Sequence, residues 1–239
     1  MTFLKVKGLE KRFGGRHAVD SVHFDVAAGE LVGLIGPNGS GKTTLLNMLS
    51  GHLAPDGGTV TLEGREVTRL PVHRRARAGI LRMFQLTRVF DRVSTLDNLL
   101  VAGRGLGLNA RDALTRARAL LDELSLSPVA ALDAGRLSGG QRKLLEFGTC
   151  FMVPPRIALL DEPFAAVHPS MREIMGRFVR ERHALGQTFL LVSHDMPVVR
   201  EMCERSVCMN AGSILADGNT EDVLNDPAVI EAYLGGEAA

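Results

Sequence analysis

Residues 36–43 read Gly-Pro-Asn-Gly-Ser-Gly-Lys-Thr. Gly36, Gly39 and Gly41 let the backbone take positive φ and approach a ligand closely, so that bare N–H groups can surround an anion. Lys42 adds a point charge suited to the β- and γ-phosphates of a nucleotide, and the Thr43 hydroxyl suits a Mg²⁺ ligand. The segment from Gly36 through Pro37, Asn38, Ser40 and Thr44 therefore reads as a phosphate-binding loop, G-x-x-x-x-G-K-T. Such a loop needs a strand before it and a helix after it. Leu31–Ile35 is an apolar run of strand length, and Leu45, Met48 and Leu49 fall on one helical face.

A second chemistry follows the run Ile157-Ala158-Leu159-Leu160, which suits a strand buried on both faces of a parallel sheet. It ends in Asp161-Glu162-Pro163. Carboxylates at the C-terminal end of such a strand project where open α/β sheets bind ligands. Asp161 can hold a Mg²⁺ shell, which leaves Glu162 to polarise an attacking water. Thr188–Val192 is a third strand of this type and ends in Ser193-His194-Asp195. That position sets His194 apart from histidines 17, 23, 52, 73, 168 and 183, which default to surface or packing. Ser138, Gly139 and Gly140, between Leu137 and Gln141, place small residues at the start of a helix, where N–H groups can face an anion.

Six features occur in one order: Phe13, residues 36–43, Gln85, Leu137–Gln141, the strand ending Asp161-Glu162, and His194. Together they resemble the ATP-binding cassette (ABC) ATPases over nearly the whole chain. The resemblance implies two ATP·Mg²⁺ clamped between two cassettes. It implies that Phe13 stacks on adenine, a contact worth ~1–3 kcal/mol per base in nucleic-acid systems. Gln85 would touch Mg²⁺ and water and link the site to a transmembrane partner. His194 would contact the γ-phosphate, with Glu162 as general base. Leu137, Ser138, Gly139, Gly140 and Gln141 would address the γ-phosphate of the ATP held by the opposite subunit. One position departs from the pattern: His168 stands where the loop after Asp-Glu-Pro usually has Asp or Asn.

Three further segments resemble ATPases of branched-chain amino-acid importers: His73–Ile80, Ser193-His194-Asp195-Met196, and Asp226–Gly235. The implied partners are a second cassette (a copy of this chain or a paralogue), transmembrane permease subunits and, indirectly, a solute-binding protein. Amide or urea importers and a lipopolysaccharide exporter ATPase are also similar, and substrate contacts lie in other subunits. A soluble ABC ATPase acting on DNA or ribosomes would carry coiled-coil insertions or a second cassette. A P-loop kinase would have no use for Leu137–Gln141. Leu86, Val89, Phe90, Val93 and Leu96 are many apolar residues for a solvated segment, and are expected to form part of a groove for a membrane-subunit helix.

The elements that must position these groups follow from periodicity. Leu4 and Val6, then Val22, Phe24 and Val26, alternate as antiparallel strands, and Thr59–Leu62 adds another. Residues of about 88–150 are helical in pattern, with Leu96, Leu99, Leu100, Leu114, Leu121 and Leu124 at helical spacing and a break at Gly103–Gly107. Strands resume at 157, 188 and near Val207. The expected fold is α/β: a P-loop NTPase (RecA-like) parallel-sheet core, an antiparallel β subdomain and an inserted α-helical subdomain, in one nucleotide-binding domain over 1–239. A chain of 239 residues, 45% hydrophobic and carrying net charge +1, suits such a domain. The basic stretch Arg65–Arg82 lacks the interleaved aromatics of a nucleic-acid site and reads as a solvated face. No apolar run approaches 18 residues, and charge interrupts the N-terminal apolar stretch at once. Three cysteines, an odd number without zinc spacing, fit a reducing compartment. The expected location is therefore cytoplasmic, peripheral on the inner membrane face through permease subunits.

Overall fold

The computed structural model describes residues 2–83 and 89–235. The chain opens with β1 (Thr2–Phe13) and β2 (Arg16–Ala27), an antiparallel pair. Along β2, Val19, Val22, Phe24 and Val26 are buried beneath an exposed polar face. Then come β3 (Leu31–Ile35), α1 (Lys42–Ser50), β4 (Gly57–Leu62), β5 (Arg65–Glu66), α2 (Val72–Arg77) and β6 (Ile80–Met83). Between β6 and the next strand lie α3 (Thr95–Gly105), α4 (Ala110–Glu123) and α5 (Gly139–Thr149). The rest alternates: β7 (Ile157–Asp161), α6 (Pro169–Ala184), β8 (Thr188–Val192), α7 (Met196–Met202), β9 (Arg205–Asn210), β10 (Ser213–Asn219), α8 (Thr220–Asn225) and α9 (Pro227–Gly235).

Two sheets result. The antiparallel one has the order β2-β1-β4-β5. The other runs β10-β9-β3-β8-β7-β6, parallel from β9 through β6, with β10 closing one edge as an antiparallel hairpin. All five residues of β3, β7 and β8 are buried, as strands covered on both faces must be. Their side chains divide by parity between two cores. Val32, Leu34, Ile157, Leu159, Leu190 and Val192 pack with α1 and the antiparallel sheet. Ile35, Ala158, Leu160, Phe189 and Leu191 pack with the helices on the other side, where Phe147, Phe151 and Phe178 form a triangle of rings 4.9–5.1 Å apart. The expected α/β architecture is present. Among the described residues no helix is long and apolar enough to cross a membrane, and all three cysteines are buried free thiols.

The structure places the helical break within Gly103–Gly107, as expected, and corrects one expectation, the wholly solvated basic stretch. Helix α3 continues through Gly103, where a Cβ would lie 2.6 Å from Met152 Cε; the glycine permits close packing and does not break the helix. The break comes after Gly105, at Gly107 with φ +101°, and Asn109 then caps α4 by accepting from Asp112 N–H. On α4 the core face is Ala113, Ala117, Leu120 and Leu121, while Leu114 is only half-buried. The basic stretch is not wholly solvated. Arg65, Arg69, Arg74 and Arg77 are exposed, but Arg75 and Arg82 are buried.

Arg75 has a clear physical purpose. Its guanidinium donates to the carbonyls of Met48 and Leu49 at the end of α1, to Thr68 O, and to Leu70 O at 3.1 Å. The last carbonyls of a helix lack intrahelical donors and carry the negative end of its dipole, so a fork-shaped cation is well matched there. Burial lowers its pKa to about 10, which leaves it charged at neutral pH. Arg75→Met removes the donors these carbonyls share and should cost about 1.5–3 kcal/mol, the scale of hydrogen bonding to a charged group. Urea unfolding followed by circular dichroism measures it; an unchanged midpoint would contradict this account of the buried arginine.

Candidate active site

The phosphate loop leaves the C-terminal end of β3, and Asp161-Glu162 and His194 lie at the corresponding ends of β7 and β8. They face one cleft of about 780 Å³, a volume ordinary for a ligand site. Every residue from Gly36 to Thr44 lines it, together with Asp161, Glu162 and His194. Arg16, Ala18, Val192 and Tyr233 complete the lining.

Crowding fixes the loop. A Cβ at Gly36 (φ +141°) would lie 2.1 Å from the Met209 carbonyl oxygen of β9. One at Gly41 (φ +108°) would lie 2.4 Å from the Ala18 carbonyl oxygen of β2. Only glycine fits at either point. Lys42 Nζ donates to Gly36 O at 2.6 Å and Pro37 O at 2.9 Å, within its own loop. Burial lowers its pKa, opposed by the charges of Glu162, Cys208 and Asp161. Helix α1 begins at Gly41 with no side-chain cap. An uncapped helix start, an ammonium and a hydroxyl on one wall, with two carboxylates on another, form a donor set that fits a polyphosphate with a divalent cation.

Asp161 ends β7 buried, its Oδ2 accepting from Arg82 NH2 at 2.7 Å. The same guanidinium donates through NH1 to Asn47 Oδ1 on α1 at 2.6 Å. Glu162 Oε1 lies 2.9 Å from His194 Nδ1; the glutamate side chain is only 12% exposed and the imidazole 70%. Glu162 has φ +50°, uncommon for a residue with a Cβ and sustained only by surrounding contacts. Its N–H donates to Val192 O at 3.0 Å, and its carbonyl accepts from Lys143 Nζ at 3.1 Å. Lys143 also donates to Ala165 O at 2.6 Å. It is buried on α5, with its pKa lowered by desolvation against the pull of Glu146 and Glu162.

Other expected residues lie elsewhere. Phe13 stands at the tip of the β1–β2 hairpin, 53% exposed and outside the cleft lining, with Lys11 Nζ 5.8 Å from its ring centroid. It is therefore not a core residue. Leu137–Gln141 does not line the cleft. Ser138 caps α5 in a reciprocal box, Gln141 N–H donating to Ser138 Oγ at 3.3 Å and Ser138 N–H to Gln141 Oε1 at 3.0 Å. Leu137 is buried in the core, so it anchors the helix start and leaves Ser138, Gly139 and Gly140 facing outward. His168 caps α6, with Nδ1 accepting from Ser170 N–H at 3.4 Å and 2.9 Å from Ser170 Oγ. Gln85 and Leu86 lie outside the described residues. Of the remaining apolar set, Phe90 is 60% exposed and Val89, Val93 and Leu96 are half-buried.

Sequence reasoning passed over Arg82, Lys143, Arg16 and Tyr233. A cation inside the apolar strand Ile80–Met83, beside a strand ending in aspartate, is a signal for a buried ion pair, but only once β6 and β7 are known to be neighbours. Lys143 shares the core-facing side of α5 with Leu144 and Phe147, which flags a lysine needing internal acceptors.

Comparison with known proteins agrees with this geometry. Residues 19–165 match the family model for ABC transporters, and 213–239 match that for the branched-chain amino acid ATP-binding cassette transporter C-terminal segment. The chain is 40% identical over 248 residues to the high-affinity branched-chain amino acid transport ATP-binding protein BraF of Pseudomonas aeruginosa, covering 97% of each. It is 38% identical over 233 residues to the lipopolysaccharide export system ATP-binding protein LptB of Acidithiobacillus ferridurans, covering 97% of this chain and 96% of that one. Among solved structures it is similar to the ADP conformation of an ATP-binding cassette of an ABC transporter, with TM-score 0.86 and 33% identity over 98% of this chain and 99% of the other.

The Lys143 contact yields a prediction. A hydrogen bond from a charged donor contributes about 1.5–3 kcal/mol. If it holds Glu162 in place, Lys143→Met should lower kcat for ATP hydrolysis by about tenfold or more, since each 1.4 kcal/mol is tenfold. Steady-state kinetics checks this, and Lys143→Arg should recover most of the loss. Unchanged kcat in Lys143→Met would remove the link between α5 and the glutamate.

Proposed function

The chain belongs to the ABC transporter family and is an ATPase subunit, and from that premise we propose that it hydrolyses ATP in the 36–44 cleft to power branched-chain amino-acid import. The observation that carries the chemistry is the Glu162–His194 contact at 2.9 Å, on the same cleft as Lys42 and Asp161. In this reading Phe13 stacks on adenine. The loop N–H groups and Lys42 hold the phosphates, Lys42 exchanging its own-loop carbonyls for phosphate oxygens. Glu162 takes the proton of the attacking water, and His194 holds the γ-phosphate and orients the glutamate. Thr43, Asp161 and Gln85 would hold Mg²⁺, which when bound offsets phosphate charge; Gln85 is assigned by resemblance alone.

The start of α5, with Ser138 and Gly139 exposed and Gly140 half-buried, does not line its own chain's cleft. The backbone N–H groups of Gly139 and Gly140 suit the γ-phosphate of a second cassette's ATP, with Leu137, Ser138 and Gln141 shaping the turn, so the working unit is a dimer. His168 satisfies its helix cap as a hydrogen-bond acceptor within its own chain, as an aspartate would. The departure at this position therefore leaves the loop's anchor intact for a partner that is either a copy or a paralogue.

The C-terminal match over 213–239 favours the import of branched-chain amino acids. The similarity to the lipopolysaccharide export protein supports the alternative of an exporter ATPase. In either case permease subunits hold the chain at the inner membrane face, and an importer also draws on a solute-binding protein. The exposed ring of Phe90 and the half-buried apolar residues beside it would form part of the surface that receives a permease helix.

A positioned general base contributes about 10²–10⁴-fold. Glu162→Gln should bind ATP as the wild type does and turn it over at least ~10²-fold more slowly. Phosphate release beside an ATP-binding titration measures both. Near-normal turnover in that variant would remove Glu162 from the chemistry.

A further inference from the structure

The phosphate loop is gripped from a direction that no motif announces. Gly36 N–H donates to Tyr233 Oη at 2.6 Å, across 197 residues of sequence. Tyr233 lies on α9 and lines the cleft with Lys42 and Glu162. Gly36 is held on two other sides. Its carbonyl accepts from Lys42 Nζ at 2.6 Å, and the Met209 carbonyl oxygen occupies the place where a Cβ would stand. Tyr233 therefore supplies the acceptor for an amide that crowding prevents from turning elsewhere. Helix α9 is itself fixed, because Val229 is buried in the core. The phenol stays protonated: burial raises its pKa to about 12 against the lowering effect of the Gly36 hydrogen bond, with smaller electrostatic raising from Cys208 and Glu162.

We propose that Tyr233 is a positioning residue for the phosphate loop, its hydroxyl tying the C-terminal helix α9 to Gly36 so that the seat of the nucleotide depends on that helix. The bond is made to the first glycine of the loop, and Lys42 rests on the carbonyl of the same residue. When Lys42 turns from that carbonyl to phosphate oxygens, Tyr233 remains to hold the loop in register. The inference rests on the reading that this cleft holds ATP.

The chain contains one tyrosine and no tryptophan, so its tyrosine emission comes from Tyr233 alone. In the full wild-type chain, ATP titration should change that emission saturably, with the same midpoint as ATP binding measured by calorimetry. Tyr233→Phe keeps the ring and removes only the acceptor, so the fold should persist by circular dichroism. Its KM for ATP should rise about tenfold, the scale of an unsatisfied buried amide, with a smaller effect on kcat. Tyr233→His, which restores an acceptor, should regain part of the affinity. Wild-type ATP affinity in Tyr233→Phe, or emission that stays flat while ATP binds, would overturn the proposal. If the wild type itself failed to bind ATP, the nucleotide reading would fall first, and calorimetry on the wild type separates that result from the other two.

Discussion

An ion pair almost shut off from water, Arg82 to Asp161, sets the geometry on which the cleft depends. Removing either partner would leave a buried charge unmatched, a cost typically of about 3–5 kcal/mol. Asp161 is thus held at the end of β7 by β6, and the same guanidinium reaches Asn47 on α1. One cation fixes a carboxylate relative to the helix that starts at the phosphate loop.

The same device recurs around the cleft. Parallel strands end together, and the backbone beyond them has no further ladder to join. Side chains and backbone groups of distant elements supply the missing partners. Lys143 of α5 donates to the carbonyls of Glu162 and Ala165, Tyr233 of α9 accepts from Gly36, and Val192 of β8 accepts from Glu162. The candidate site groups therefore lie on loops, but each loop is tied to a packed element. Such supports keep a residue like Glu162 at an unfavourable φ with its carboxylate beside His194.

Much of this was legible because it is local. A glycine-rich loop between a strand and a helix, and apolar runs ending in Asp-Glu or Ser-His, are patterns of neighbours in sequence. The structure brings Gly36–Thr44, Asp161, Glu162 and His194 to one cleft as that pattern implied. What was missed depends on pairs far apart. Arg75 and Arg82 sit in a basic stretch that reads as solvated, and only the placement of α1 and β7 beside them explains their burial. The helical break falls within Gly103–Gly107 as the sequence suggests, but only Met152 beside Gly103 explains why α3 runs through the first of those glycines. Leu114 has the helical spacing but lies at the edge of the face that Ala113, Ala117, Leu120 and Leu121 bury, and is half-buried. A single tyrosine near the C-terminus gives no hint in sequence that it touches a loop 197 residues away.

The central claim is that Asp161, held by Arg82, is the carboxylate on the metal side of an ATP site. Mn²⁺ binding to the ATP-loaded chain, followed by electron paramagnetic resonance, tests it most directly. Asp161→Asn should still bind ATP without metal, which reports an intact fold and loop, and should bind Mn²⁺ in the ternary complex at least about tenfold more weakly, a loss of ~1.4 kcal/mol. Equal Mn²⁺ affinity in the variant and the wild type would contradict the account.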